Sequence, residues 1–510
     1  MPFTGAQQEL FNHYSITTRS NAGENMIYEA IYRKQKIKDY VGNPLIEALP
    51  PIRTEDDWLD VLENVPEFKD TWLHEDKSIR NNLLMRLRDG YFPLRRHVEL
   101  AIRIDQIIRD GYRSRNPSSR ARGKLLQSAY EDMQKGMNVG CQFQALFSTR
   151  SISLIGISGS GKTTTTERII NSYPQVINHA EQGIIQVVWL KVDCPKDGSF
   201  KQLGKDIVGE LDRILGTQFL KELPSKCSDT DIIRKIRELS AAYSLGLLVI
   251  DELQNLSVKK SGGREEMMNF FQEICNTVHV PVMLIGTMKA SKILQLDFRH
   301  ARRAAGVGSF VWDVMRNDEE WAFLVEELWN CQLLKNKHQL DQAMTDYLYA
   351  ETQGIVGILT AAFLLAQLRA ISSGEEALSE DLFTRVFKKD LDPVRKMLLA
   401  LKSKDPNRIA KYEDVISPVI YEALEKEQTK MNAAQRKKPS QRRIKTIHEQ
   451  ALDELILMGQ PKDLAQHILD EVTDGSEKTS QQLVRKSLFK LYKVERIDES
   501  DPDDLRELGA

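Results

Sequence analysis

Cysteine is scarce in this chain: five in 510 residues, Cys141, Cys194, Cys227, Cys275 and Cys331, with no C-x-x-C pair and no histidines spaced to complete a zinc site. That excludes a zinc finger and a disulfide scaffold, and it fits a reducing cytoplasm where lone cysteines act as small buried hydrophobes. Long apolar runs are missing too. None approaches 18 residues, so no membrane span is expected. The start, Met1-Pro2-Phe3-Thr4-Gly5, lacks the basic and apolar regions of a signal peptide. Charge of one sign is also lacking: 71 Lys and Arg against 73 Asp and Glu give a net charge of −2. No global field favours nucleic acid, so any such contact must come from local basic clusters. No internal repeat is visible.

What is present is ordinary for a globular chain, with 41% hydrophobic and 28% charged residues. The length predicts two to four domains. The first ~40 residues show little periodicity. The proline-bounded segment Asn43–Pro51 reads either as a turn between helices or as a linear segment that docks a partner. Helical spacing follows over 55–108, including Val98, Leu100, Ile102, Ile104, Ile107 and Ile108. Residues 109–124 then carry Arg109, Arg113, Arg115, Arg120, Arg122 and Lys124 among small polar residues. That stretch reads as a solvated linker or as a phosphate-contacting arm. From about 150 to 312 the pattern is α/β, with strand signals at 152–157, 184–192, 245–250, 280–285 and 309–311. Residues 314–390 read as helices. More helices follow, interrupted by a basic stretch at 426–445 and closed by an acidic tail at 498–504.

The segment from Gly156 to Thr163 fits G-x-x-x-x-G-K-[ST] in full, between an apolar strand and a helical continuation from Thr164. Glycine-rich backbone cradles phosphates, and a helix N-terminus adds its dipole. The predicted nucleotide-binding residues are Gly156, Ser158, Gly159, Ser160, Gly161, Lys162, Thr163, Thr164 and Asp251. Lys162 would reach the β- and γ-phosphates, and Thr163 with Asp251 would hold Mg²⁺. Asp251 and Glu252 emerge together after the buried strand Leu247–Ile250, where α/β sheets place ligands. Glu252 would polarise the attacking water, which points to ATP hydrolysis. Thr287, after the strand Val280–Ile285, would sit between the carboxylates and the γ-phosphate. Arg302 and Arg303, before the last strand, are candidates for a finger reaching a neighbouring subunit's nucleotide, with Arg299 as a third choice.

P-loop, acidic strand end, threonine, arginines and helical lid, in that order over about 130–390, resemble the AAA+ ATPases. Within them, the stretches 186–203, 245–263, 280–290 and 298–310 resemble TnsC-type regulators of cut-and-paste DNA transposition, as do the segments around Asn43–Pro51 and Asp110–Pro117. The resemblance implies an α/β fold: an AAA+ P-loop domain with a parallel sheet, a helical lid, and helical N- and C-terminal extensions. It divides the chain at 1–125, 126–313, 314–390 and 391–510. It implies ATP and Mg²⁺ as cofactors, a homo-oligomeric ring or filament on duplex DNA, and a place in the bacterial cytoplasm. It also implies a target-selecting protein and the transposase as partners, with hydrolysis resetting the complex. Lys196, Lys201 and Lys226 would then track DNA phosphates without reading sequence.

One departure from the AAA+ pattern is visible. The lid stretch Thr352–Thr360 has no arginine where many relatives carry one, so no residue is assigned to that role. The rival readings are an AAA+ DNA-replication loader or remodeller, and an ATP-switched signalling scaffold without DNA. The apolar stripe of 481–493 is either core or a docking face.

Overall fold

The computed structural model describes residues 16–17, 27–118, 151–196, 199–224, 226–255, 280–290 and 309–403, with 451–452, 455, 462–472 and 487 further on. Two compact units divide the chain, Met1–Glu427 and Gln428–Ala510.

The first unit is organised by a five-stranded parallel sheet. Its strands are β3 (Ile152–Gly156), β6 (Trp189–Asp193), β7 (Leu247–Asp251), β8 (Val282–Gly286) and β9 (Ser309–Trp312), in the order β6-β7-β8-β3-β9. Side chains alternate between faces, and the continuous apolar runs bury both. Leu247, Val249, Met283, Ile285, Ile152 and Leu154 point to one core, and Leu248, Ile250, Val282, Leu284, Leu190 and Val192 to the other. Helices α6 (Phe200–Leu215) and α8 (Asp229–Ala242), with the short α7 (Phe219–Glu222) between them in sequence, cover the second face. The first face is covered by α5 (Lys162–Asn171) together with N-terminal helices α1 (Pro44–Glu47), α2 (Glu55–Leu62) and α4 (Arg95–Arg113).

That coverage settles two open readings. Leu45, Ile46, Ala48 and Leu49 are at most 1% exposed in the core under the sheet, so Asn43–Pro51 is a short buried helix and not a free docking segment. Asn43 caps it, accepting from the Leu45 N–H at 3.2 Å. The start of the basic stretch is likewise structural. Arg109 is buried, pairs with Asp105 at 2.8 Å and donates to the Pro50 carbonyl at 2.6 Å. Arg115 donates to the carbonyls of Leu245 and Gly111. These two arginines tie α4 to Pro50 and to the turn before β7 and are not a phosphate-contacting arm. Arg120, Arg122 and Lys124 lie outside the described residues.

The single strand expected over 184–192 is two. β5 (Ile184–Val187) pairs antiparallel with β4 (Val176–His179) in a second sheet, while β6 joins the first. The chain crosses between sheets at Val188, which the local pattern does not mark. The second sheet also takes in β1 (Ile16–Thr17) and β2 (Ile27–Glu29), from a region with no readable periodicity.

Beyond β9 come α9 (Glu319–Asn330), α10 (Gln342–Thr352), α11 (Val356–Ser373), α12 (Glu380–Lys389) and α13 (Asp392–Lys402). By length and composition alone α11 is apolar enough to cross a membrane. Its side chains from Ile358 to Ile371 are instead mostly buried in protein, as expected for the central helix of a helical layer. Helix α3 (Lys77–Leu84) from the N-terminal part packs against α11. There Arg80, 1% exposed, meets both carboxylate oxygens of Glu376 and the carbonyl of Leu333.

In the second unit the described residues include α14 (Lys462–Val472), with Ala465 and Leu469 packed on Ala451 and Leu455. The stripe at 481–493 lies outside the described residues save Ser487.

Candidate functional site

Three neighbouring strands, β7, β8 and β3, end on the same edge of the sheet, with Ile250 opposite Leu284 and Ile155 opposite Gly286. The loops leaving them bring the separate sequence motifs together around one cavity of about 970 Å³. This is where an open parallel sheet presents ligands.

The first loop is 156–161. Gly159 and Gly161 have φ of +77° and +88°, a left-handed backbone that residues with a Cβ avoid. Gly156 also meets a packing demand that the motif does not announce. A Cβ there would lie 2.2 Å from the Trp312 carbonyl oxygen, so the close approach of β3 to β9 requires a glycine. Gly161 is the N-cap of α5 and offers no side chain to the first-turn N–H groups, which therefore face the cavity available to an anion. The Lys162 ammonium, 8% exposed, donates to the carbonyls of Gly156 at 3.0 Å and Ile157 at 2.8 Å. The Ser160 hydroxyl is buried and makes no hydrogen bond among the described residues.

The Thr163 hydroxyl donates to Asp251 Oδ2 at 2.8 Å, joining the P-loop to the end of β7. Asp251 is 2% exposed. Its other oxygen accepts the Glu252 N–H at 2.7 Å, and Glu252 takes the left-handed φ of +57°. That turn swings the second carboxylate out of the strand direction towards the cavity it lines. Two hard oxygen donors side by side, one of them a carboxylate, suit Mg²⁺, which uses few protein ligands beside phosphate and water. Lys191 lies 3.8 Å from Asp251 and pairs with Asp193 and Glu167. Burial opposes its charge, but the Asp193 hydrogen bond and the three carboxylates outweigh it and raise its pKa.

Sequence reasoning missed Gln254. Its side-chain N–H donates to Glu252, and its carbonyl oxygen accepts the Thr287 N–H at 3.0 Å. One amide therefore links the carboxylate to the strand end of β8. The Thr287 hydroxyl is buried and has no partner among the described residues, beside the same cavity. Buried hydroxyls without partners are uncommon, and those of Ser160 and Thr287 border the place a phosphate would take.

The apolar half of the cavity was also missed. It is built by Tyr91, Phe92 and Leu94 ahead of α4, and by Leu324, Ala361 and Leu364 of α9 and α11. Tyr91 donates to the Thr165 hydroxyl at 2.7 Å, fixing the N-terminal segment to α5. Burial pushes the Tyr91 phenol above its usual range. Arg96 reaches the Ser160 carbonyl at 3.4 Å and stacks over Trp312. A Gly-Tyr-Phe-Pro segment has no known phosphate-motif spacing, so only the fold places it here.

Of the predicted DNA-tracking residues, Lys196 is exposed and borders the same cavity, while Lys201 is half-buried at the start of α6 and Lys226 is exposed before α8. Arg299, Arg302 and Arg303 lie outside the described residues.

Residues 145–294 match the family model of the AAA domain. No curated protein matches the chain. Among solved structures it is similar to the Aeropyrum pernix ORC2 protein in ADPNP and ADP complexes, at 16% identity over 54% of this chain and 69% of that one, TM-score 0.32. It is similar to the Aeropyrum pernix ORC1 protein in complex with DNA, at 12% identity over 74% and 83%, TM-score 0.34. The Thermotoga maritima RuvB Holliday junction branch migration motor follows at 13% identity over 59% and 86%, TM-score 0.29. At these values none of them bears on what this chain binds or does. The architecture is an AAA+ P-loop fold: a parallel five-stranded sheet with surrounding helices and helical extensions.

Proposed function

We propose that the chain is a Mg²⁺-dependent ATPase that regulates DNA transposition, assembling on target DNA with ATP bound and resetting on hydrolysis. The observation that carries the ATPase part is the continuous link Thr163–Asp251–Glu252–Gln254–Thr287 around one cavity. In this reading the N–H groups of 159–164 and the Lys162 ammonium take the phosphates. Thr163 and Asp251 would hold Mg²⁺, which supplies charge neutralisation on the β- and γ-oxygens. Glu252 orients and deprotonates the attacking water, Gln254 holds Glu252 in place, and the Thr287 hydroxyl donates to the γ-phosphate.

The transposition part rests on the resemblance of 186–203, 245–263, 280–290 and 298–310 to TnsC-type regulators. It brings duplex DNA, a target selector and the transposase as partners. Arg302 or Arg303 would complete a neighbour's site, so that nucleotide binding and assembly on DNA are one event. We keep the division of the chain into an N-terminal part, an ATPase core, a lid and a C-terminal extension under the same proposal.

Glu252→Gln tests it. The variant should lose ATP hydrolysis while its ATP-dependent assemblies on duplex DNA persist or lengthen, as seen by electron microscopy with a non-hydrolysable analogue for comparison. DNA binding that is indifferent to nucleotide would overturn the transposition-regulator reading and leave the ATPase assignment standing.

A further inference from the structure

Between β2 and α1 the chain runs without regular structure over 30–35, bends at 36–37 and closes in a single 3-10 turn, Lys38–Tyr40. Exposure alternates along it. Tyr32, Lys34 and Lys36 face solvent, whereas Arg33 and Gln35 are half-buried, the period-two pattern of an extended backbone. Lys38 is exposed after the bend. The inward side is pinned. The Arg33 N–H donates to the Glu47 carbonyl at 2.8 Å, and its guanidinium donates to the carbonyls of Ile31 and Leu49 at 3.3 and 3.4 Å. The Tyr32 hydroxyl donates to Gln182 at 2.6 Å. Nearby carboxylates are engaged elsewhere: Glu47 accepts the Gly42 N–H at 2.7 Å, and Asp39 pairs with Arg113 of α4 at 3.4 Å. Lys34, Lys36 and Lys38 form no ion pair among the described residues.

We propose that Lys34, Lys36 and Lys38 form a contact surface for the phosphate backbone of duplex DNA, in addition to any contact made by Lys196, Lys201 and Lys226. The inference rests on the reading above that the chain assembles on DNA. With a net charge of −2 the molecule offers no global attraction, so a polyanion needs a local cluster, and 33–38 holds four cations and no carboxylate. Alternate positions of an extended chain lie about 7 Å apart. A row of cations at such steps suits a polymer with closely repeating charge, and each DNA strand carries one charge per about 3.4 Å of helix axis. The backbone that bears the row is held by its own hydrogen bonds, so little of it has to be ordered on binding. Lysines act here as point charges, which position DNA without reading its sequence. A lipid surface fits less well, since it takes up apolar side chains together with charge, and Ile37 and Val41 are the only exposed aliphatic residues of 30–42.

The test follows the duplex-DNA affinity of the full chain, with a non-hydrolysable ATP analogue, against salt concentration. Neutralising the row, Lys34→Gln with Lys36→Gln and Lys38→Gln, should lower affinity about tenfold or more. It should also reduce the slope of log affinity against log salt by about two to three, since each phosphate contact contributes about 0.9. The loss should be equal for unrelated DNA sequences. Arginine at all three positions retains the charges and should keep the wild-type slope. DNA-free ATP hydrolysis should be the same in all three proteins, which shows that the glutamine variant is folded. A glutamine variant with the wild-type salt slope overturns the proposal and leaves assembly on DNA standing. So does a loss confined to phosphatidylserine vesicles, which would assign the row to a membrane surface. A wild type that binds no duplex DNA, with or without nucleotide, sinks the assembly reading itself and this proposal with it.

Discussion

The backbone N–H of Gly357, on the first turn of α11, donates to the carbonyl oxygen of Gly159 at 3.0 Å. The helical layer after the sheet therefore rests directly on the glycine-rich loop, at the position where the sequence offers no arginine. A Cβ at Gly357 would lie 3.1 Å from that oxygen, so only a residue without a side chain allows this approach undisturbed. Gly357→Val should wedge the lid away and lower ATP affinity about tenfold, the equivalent of ~1.4 kcal/mol. Isothermal titration of the two proteins would show it; unchanged affinity would mean that the contact has no part in binding.

Gln254 ties Glu252 to the end of β8 and makes no hydrogen bond to Thr163 or Asp251 among the described residues. Gln254→Ala should leave ATP affinity near the wild-type value and lower kcat by about ten- to a hundredfold, as loss of an orienting partner does elsewhere. Steady-state hydrolysis and equilibrium binding, measured on the same sample, separate the two effects.

Arg80 and Glu376 join α3 to the loop after α11, with Glu376 in the left-handed φ of +54°. Arg80→Met removes one partner of a buried pair and should cost about 3–5 kcal/mol of stability, read as a lower denaturation midpoint. Burial raises the Glu376 pKa, but the Arg80 hydrogen bond and charge outweigh it and the net shift is downward. The pair's contribution is then complete above the unfolded glutamate value of about 4.3 and is lost as pH falls through the lower folded value. Urea melts should show the difference between wild type and variant narrowing only in that acid range.

Gly156→Ala places a methyl group where the Trp312 carbonyl stands. The strands β3 and β9 would have to part, at a cost of about 1–3 kcal/mol or more. The thermal midpoint should fall even without nucleotide. A Gly156→Ala protein as stable as wild type would mean that the loop, and not the sheet, requires this glycine.

The nucleotide half of the site is legible in the sequence because its chemistry is local. Gly159, Gly161, Lys162 and Thr163 act within one turn of backbone, and Asp251-Glu252 at the end of an apolar run can only emerge at a strand terminus. The order of those motifs also pointed to the α/β class and to helices following the sheet. The rest depends on distance in the chain. Gln254 became visible only when β7 and β8 were neighbours, and Tyr91 and Leu94 only when the N-terminal helices were seen to cover the sheet. Burial of Leu45 and Arg109 decided two readings that local pattern had left open, since a proline-bounded apolar cluster and a run of arginines look the same whether they face a partner or their own core. Local spacing specifies how a backbone can hold a phosphate; which side chains line the rest of the cavity is decided by packing between segments far apart in sequence.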